Sequence, residues 1–262
     1  MHDLWSDLLV CLNFDAAPSD THFTAHNQHL EYHRVFGGQL LAQFIRAASL
    51  SCPEKAVKSL HAVFPREGRA DEPVDYEVIR HHEGRSFATL SIIATQSKGP
   101  IGTTSVSLHV TEDGPALQST EPVGPVPGPE HEVPLDLIPW QTRAADDLNA
   151  TTTGPPEFEL WMRTPSVDPD LAPALAAYAT DLTLIGTALR PLDGLSQRGD
   201  GTQFTTHTIW FHRPFTTDQW LLLRQHSPLL AHGRSFGRGD MLTHDGVLVA
   251  SFAQEALLRI PN

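Results

Sequence analysis

Gly84-Arg85-Ser86-Phe87 recurs as Gly233-Arg234-Ser235-Phe236, an offset of 149 residues (84 to 233) in a chain of 262. A repeat on that scale constrains the fold before any single residue does. In each copy GRSF follows a β-rich run that ends in histidine, YEVIRHH at 76–82 and WLLLRQH at 220–226. In each copy a glycine turn and another β-rich run come next, Gly99 leading into IGTTSVSLHV and Gly246 into VLVASFAQEALL. Four letters can coincide by chance, but the matched order of elements around them points to duplication. Between the copies, Glu112 to Pro156 holds nine of the 21 prolines, at 115, 122, 125, 127, 129, 134, 139, 155 and 156. Proline lacks an N–H and fixes φ, so neither a helix nor a central strand is expected to cross this run. The organisation that follows is a first half over 1–115, a proline-rich linker over 116–155 and a second half over 156–262. Trp140 and Leu137-Ile138 predict that the linker packs along the surface.

Each half carries one strong helix signal. In the first, Phe36, Leu40, Leu41, Phe44, Ile45 and Ala48 recur at helical spacing behind Gly37-Gly38. In the second, Leu171, Leu175, Tyr178, Leu182, Ile185 and Leu189 form a similar stripe, entered through Pro169-Asp170. One long apolar helix and about four strands per half is an α+β pattern, in which an antiparallel sheet buries one face by wrapping a single helix. Two such sheets, joined edge to edge, are the expected architecture.

Composition narrows the function. No run approaches the ~20 apolar residues of a membrane helix, and the opening MHDLWSDLLVCLNF has no basic region and carries Asp3 and Asp7. Neither a secretory signal nor a mitochondrial presequence is suggested, and a cytoplasmic location without membrane partners is expected. Cys11 and Cys52 stand far apart, outside any CxxC or zinc-finger spacing, so both are expected as reduced apolar residues with no metal between them. A formal charge of −13 repels polyanions, which makes nucleic acid an unfavoured partner. After Thr202 the balance reverses locally, with Arg213, Arg224, Arg234, Arg238 and Arg259 against Asp218, Asp240, Asp245 and Glu255. These arginines could meet an anionic ligand, or could be ordinary solvated surface residues.

VFGGQLLAQ (35–43), SLHAVF (59–64), GRSF (84–87), YATD (178–181), HTIWFHRPF (207–215), RGDMLTHDGVLVASFAQE (238–255) and the terminal LLR together resemble the acyl-CoA thioesterase II family. The likeness spans nearly the whole chain apart from the linker. It implies a double-hotdog fold, an acyl-CoA substrate, and hydrolysis without cofactor, metal or covalent serine. It also implies further association into a homo-oligomer. In that family an Asp on the second-half helix, a Ser or Thr on the strand before WFH, and a Gln near the C-terminus hold the attacking water. Matched by position, the Asp is Asp181 and the Gln is Gln254, but the hydroxyl position, counted back from Trp210, falls on Phe204.

The same residues can be read from chemistry. Asp181 lies three residues after Tyr178 and four before Ile185, which places it on the helix face that meets the sheet. A carboxylate there is either a structural acceptor or one that polarises water. Gln254 interrupts an apolar strand and offers both a donor and an acceptor, and only one of Gln254 and Glu255 can face inward. Residues 204, 206 and 208 are expected to share a face, making Thr206 the nearest replacement for the missing hydroxyl, or else an ordinary β-former. Gly37, Gly38 and Gln39 open a helix whose free N–H groups could meet negative charge of the substrate, or form only a tight turn. His61, which recurs with His207 in a similar strand context, completes the expected substrate-binding set. Neither histidine has metal-ligand spacing, and both read as packing or supporting residues. No GxSxG is present, so a serine hydrolase is disfavoured. A hotdog enoyl-CoA hydratase, or an acyl-CoA-binding protein that has lost turnover, are the alternatives.

Overall fold

The computed structural model describes residues 3–14, 19–30, 33–147, 153–193 and 202–259, with side chains from 205 onward in the last stretch. Contacts divide the chain into one unit of Met1–Ala116 with Pro173–Tyr178, and a second of Leu117–Ala172 with Ala179–Asn262.

In the first unit α1 (Leu4–Leu12) precedes β1 (His22–Ala25), α2 (Gly37–Ser51), β2 (Ala56–Val63), β3 (Val74–Glu83), β4 (Phe87–Gln96) and β5 (Gly99–His109). The strands form an antiparallel sheet in the order β1-β3-β4-β5-β2. The helix expected from the apolar spacing is α2, and Leu40, Leu41, Phe44, Ile45 and Ala48 are all buried on it. So are Ala42, Gln43 and Ala47, because α1 packs on α2 as well. A helix covered on most sides is apolar nearly all round. The α1 helix carries no signal used above, although Asp3 caps it by accepting the Trp5 N–H. Alternation along β4 and β5 sends Leu90, Ile92, Val106 and Leu108 into the core. Gly102 on β5 sits where a Cβ would come within 3.1 Å of the Phe44 ring, so its lack of a side chain lets α2 approach the sheet closely.

The second unit contains β6 (Gln141–Arg143), β7 (Glu157–Arg163), α3 (Ala172–Thr180, of which 173–178 count with the first unit), α4 (Leu184–Leu189), β8 (Thr202–Phe211), β9 (Leu221–Ala231), β10 (Arg234–Thr243) and β11 (Leu248–Leu258). Its antiparallel order is β8-β11-β10-β9-β7-β6. With β6 set aside, β7 to β11 repeat the order of β1 to β5 strand for strand. GRSF begins the same hairpin in each unit, between β3 and β4 and between β9 and β10. The second copy turns through His232 and Gly233 with φ of 53° and 71°, a left-handed pair that glycine relieves at one of its two positions.

Within the 116–155 stretch lies a short edge strand, β6, which carries no proline and pairs with β7, in keeping with the expectation that no central strand crosses the proline-rich run. The run is also fastened down. Gln118 meets Gly246 and Arg213, Arg224 binds the carbonyls of Glu121 and Pro122, and Ile138 and Trp140 are buried. Val123 and Val126 pack over Trp161, Leu222 and Leu242, which is why Leu221, Leu222 and Leu223 are all buried although alternate residues of a strand face opposite ways.

One expectation is corrected here: the helix predicted over 171–189 is broken. A 3-10 turn at Pro169–Leu171 leads into α3, and α4 begins only at Leu184. The break falls on Asp181-Leu182-Thr183, where short polar and β-branched side chains compete with or crowd the helical backbone. Pro169–Leu189 is also long and apolar enough to pass for a membrane span, contrary to the reading above, but 78% of its most apolar window is buried within the protein.

Candidate active site

Asp181 is the C-cap of α3, with φ −78° and ψ −28°, and not a residue of an unbroken helix face. It is 3% exposed. A carboxylate so far from water is stable only with polar contacts, and Gln254 on β11 supplies one, its Nε2 donating to Asp181 Oδ1 at 3.2 Å. Strand alternation explains the reach, since Phe252, Gln254 and Ala256 are buried while Ser251, Ala253 and Glu255 are half-buried. The inward member of the Gln254–Glu255 pair is therefore Gln254. An amide nitrogen must be the group facing a carboxylate, which leaves Gln254 Oε1 as a buried acceptor with no hydrogen-bond partner among the described residues.

Directly across the ladder from Gln254 stands His207 on β8. It is fully buried, and its Nε2 lies 3.0 Å from Thr180 Oγ1, one residue before Asp181. Its ring stacks at 10° on Phe252, with centroids 6.3 Å apart. Burial pushes the imidazole down to about 3, so it is neutral at ordinary pH. Its Nδ1 has no hydrogen-bond partner among the described residues. Two neighbouring strand residues thus bind two neighbouring residues at the end of α3, and each keeps one polar atom unused.

Thr206 does not join them. The β8–β11 register runs Gln254↔His207, Glu255↔Thr206 and then Ala256↔Phe204, so Thr205 is an extra, bulged residue. A bulge breaks the alternation that counting by twos assumes. Thr206 pairs with half-buried Glu255, on the face opposite Gln254, and Thr205 Oγ1 donates to the Glu255 carbonyl at 3.2 Å. The side chain of Phe204 lies outside the described residues.

The expected substrate-binding residues belong to the first unit. Gly37 and Gly38 are buried at the start of α2, whose N-cap, Phe36, offers no side-chain hydrogen bond. A Cβ on Gly38 would sit 2.4 Å from the carbonyl oxygen of Tyr178 and 2.5 Å from the Phe36 ring, so packing alone demands glycine there. Gln39 is hydrogen-bonded within the protein. Its Oε1 accepts the Gln28 N–H at 2.9 Å, and its Nε2 donates to Asn27 Oδ1 at 2.7 Å and Gln43 Oε1 at 3.2 Å. Tyr76 donates to Gln43 and Tyr178 to Gln28, making one buried polar chain. Gln39 thus cross-links the residues around the start of α2. His61 lies between inward Leu60 and Ala62 on β2 and is therefore exposed. Of the C-terminal arginines, Arg213 and Arg224 hold the proline-rich run, and Arg234 lies 3.7 Å from Glu255.

No group of three or more His, Cys, Asp or Glu side chains suited to a metal ion occurs among the described residues. Burial raises the Cys11 thiol to about 12, as expected of an apolar, unreactive cysteine.

An antiparallel sheet packed on a helix, with a buried carboxylate and amide at a helix break, defines an α+β protein of the hotdog class. A protein with a hot dog fold from Alicyclobacillus acidocaldarius, 20% identical, matches the architecture with a TM-score of 0.76 over 97% of this chain and 98% of its own. Residues 28–109 match the acyl-CoA thioesterase N-terminal domain, and residues 111–258 the acyl-CoA thioesterase C-terminal domain. The acyl-CoA thioesterase 2 of Haemophilus influenzae is 32% identical over 285 residues, covering 99% of each chain. The acyl-CoA thioesterase II of Mycobacterium marinum is 28% identical, with a TM-score of 0.80 over 97% of this chain and 99% of its own. The chain belongs to the acyl-CoA thioesterase family.

Proposed function

We propose that this protein hydrolyses fatty acyl-CoA to a free fatty acid and CoA by direct attack of an oriented water. The observation that carries the reading is the buried contact between Asp181 and Gln254. The Gln254 N–H fixes the carboxylate and leaves its own carbonyl oxygen as a buried acceptor. A water donating one proton to Asp181 and the other to Gln254 Oε1 would present a lone pair to the thioester carbonyl. As its oxygen bonds to carbon, Asp181 takes the proton as general base. The tetrahedral intermediate collapses, the C–S bond breaks, and CoA leaves as thiolate. No protein side chain becomes acylated and no metal is required.

With this reading go two hotdog halves forming a double hotdog, a homo-oligomeric state and a cytoplasmic setting without nucleic-acid or membrane partners. The repeated strand order supports the first, and a net charge of −13 supports the absence of nucleic acid. A binding protein with little turnover is the second reading, favoured by Thr206 facing away from Gln254 and by phenylalanine at 204. The deciding experiment mixes purified protein and palmitoyl-CoA with a thiol reagent, with and without chelator. Acid-quenched protein is weighed in parallel. Thiol release insensitive to chelation, with no acyl adduct, supports direct hydrolysis. Binding without release supports the second reading.

A further inference from the structure

We infer that His207 is the third group that holds the attacking water, occupying through Nδ1 the role for which phenylalanine at position 204 has no polar atom. The inference rests on the hydrolytic reading above and deepens it. His207 and Gln254 are cross-strand partners, so their side chains leave the sheet on the same face, with Cβ atoms about 5 Å apart. Each spends one polar atom on the end of α3, His207 on Thr180 and Gln254 on Asp181. Each retains one buried atom without a hydrogen-bond partner among the described residues, Nδ1 and Oε1. Native proteins rarely leave such buried atoms unsatisfied, and a water is the commonest partner that meets them.

Hydrogen-bond accounting assigns the roles. A water has two protons to donate and two lone pairs. Asp181 and Gln254 Oε1 take the protons, one lone pair must remain for attack, and the other can accept a hydrogen bond. His207 matches that last position when the Thr180 hydroxyl donates to Nε2, because a neutral imidazole then carries its proton on Nδ1. Burial keeps the ring neutral, which prevents it from placing a competing cation beside Asp181. Stacking on Phe252 and the bond to Thr180 hold the ring in one orientation, as positioning requires. The uninterrupted register from Phe211 to Thr206 places His207 on the face of Gln254, and the bulge at Thr205 takes Thr206 off the face of position 204.

Two substitutions separate the two ring nitrogens. Glutamine places its amide near Nε2 and can keep the Thr180 contact, whereas asparagine is shorter and places its amide near Nδ1. Turnover of palmitoyl-CoA is measured for wild type, His207→Gln, His207→Asn and Asp181→Asn, together with thermal unfolding. The expected result is that His207→Gln folds as well as wild type, keeps KM within about twofold and loses about 10²-fold in kcat, the scale of a misplaced reactant. His207→Asn is expected to be less stable yet clearly more active than His207→Gln. The inference is overturned if His207→Gln retains kcat within about threefold while Asp181→Asn is inactive, which would leave the hydrolytic reading standing. It is also overturned if the two His207 variants lose activity equally, a pattern that means packing alone. If His207→Gln does not fold, His207→Asn decides, with loss as deep as that of Asp181→Asn counting against the role. Absence of turnover by the wild-type chain would overturn both readings.

Discussion

Replacing His207 by glutamine removes one titratable group from the interior of the second unit, and the consequence for stability has a definite sign. In the folded chain burial holds the imidazole down to about 3, while in the unfolded chain it returns to about 6.5. Between those values the unfolded state carries a proton that the folded state lacks, so stability falls as pH is lowered. For one proton the slope is about 1.4 kcal/mol per pH unit. The loss is absent above about pH 7 and reaches roughly 2 kcal/mol at pH 5. For a chain of this size that is about 4–8 °C in Tm. The assay is thermal unfolding of wild type and His207→Gln at pH 7.5, 6 and 5. Other groups titrate in both proteins, so the difference between the two curves isolates His207. Wild type is expected to lose about 4–8 °C more than the variant between pH 7.5 and 5. Parallel curves would show that the ring is protonated in the folded state or open to water, and would refute a neutral, buried His207.

Gly38→Ala would force a methyl group to within 2.4 Å of the Tyr178 carbonyl oxygen. A loss of at least about 1–3 kcal/mol in urea unfolding is expected, as for overpacking. Gln39→Leu strands the Gln28 N–H and Asn27 Oδ1 in the interior, at about 1–3 kcal/mol for each group left unsatisfied. Its signature is a lower Tm with KM unchanged, whereas a raised KM at unchanged Tm would mark Gln39 as a substrate ligand. Thr206→Val should leave kcat within about twofold, because Thr206 pairs with Glu255 on the other face.

Much of the fold was legible because it rests on periodicities that survive in one sequence. The GRSF repeat marked equivalent hairpins, and the stripe from Leu40 to Ala48 marked α2. Asp181 and Gln254 came from the family resemblance, and each also stands out as a polar residue within an apolar stretch. What failed depended on single-residue irregularities. A bulge at Thr205 inverted the face of Thr206, and no local signal announces a bulge in a threonine-rich strand. The helix break at 181–183 was masked by an apolar stripe that continues in register on both sides of it. Gln39 was read from its place at the opening of a helix and His61 from its recurrence with His207, but a hydrogen-bond network and strand alternation decide their surroundings. His207 was visible as a strand histidine, and its pairing with Gln254 follows only from the register of β8 on β11.

The claim that Asp181 acts on water in a site it shares with Gln254 is tested most directly by steady-state hydrolysis of an acyl-CoA by Asp181→Asn, with Tm measured on the same preparation. Asparagine keeps the size of the side chain and can still accept the Gln254 N–H through its oxygen, but it cannot take a proton. A fall in kcat of about 10²–10⁴-fold is expected, with Tm within a few degrees of wild type and KM little changed. Turnover within threefold of wild type by a folded Asp181→Asn protein would contradict the assignment and leave the carboxylate a structural acceptor.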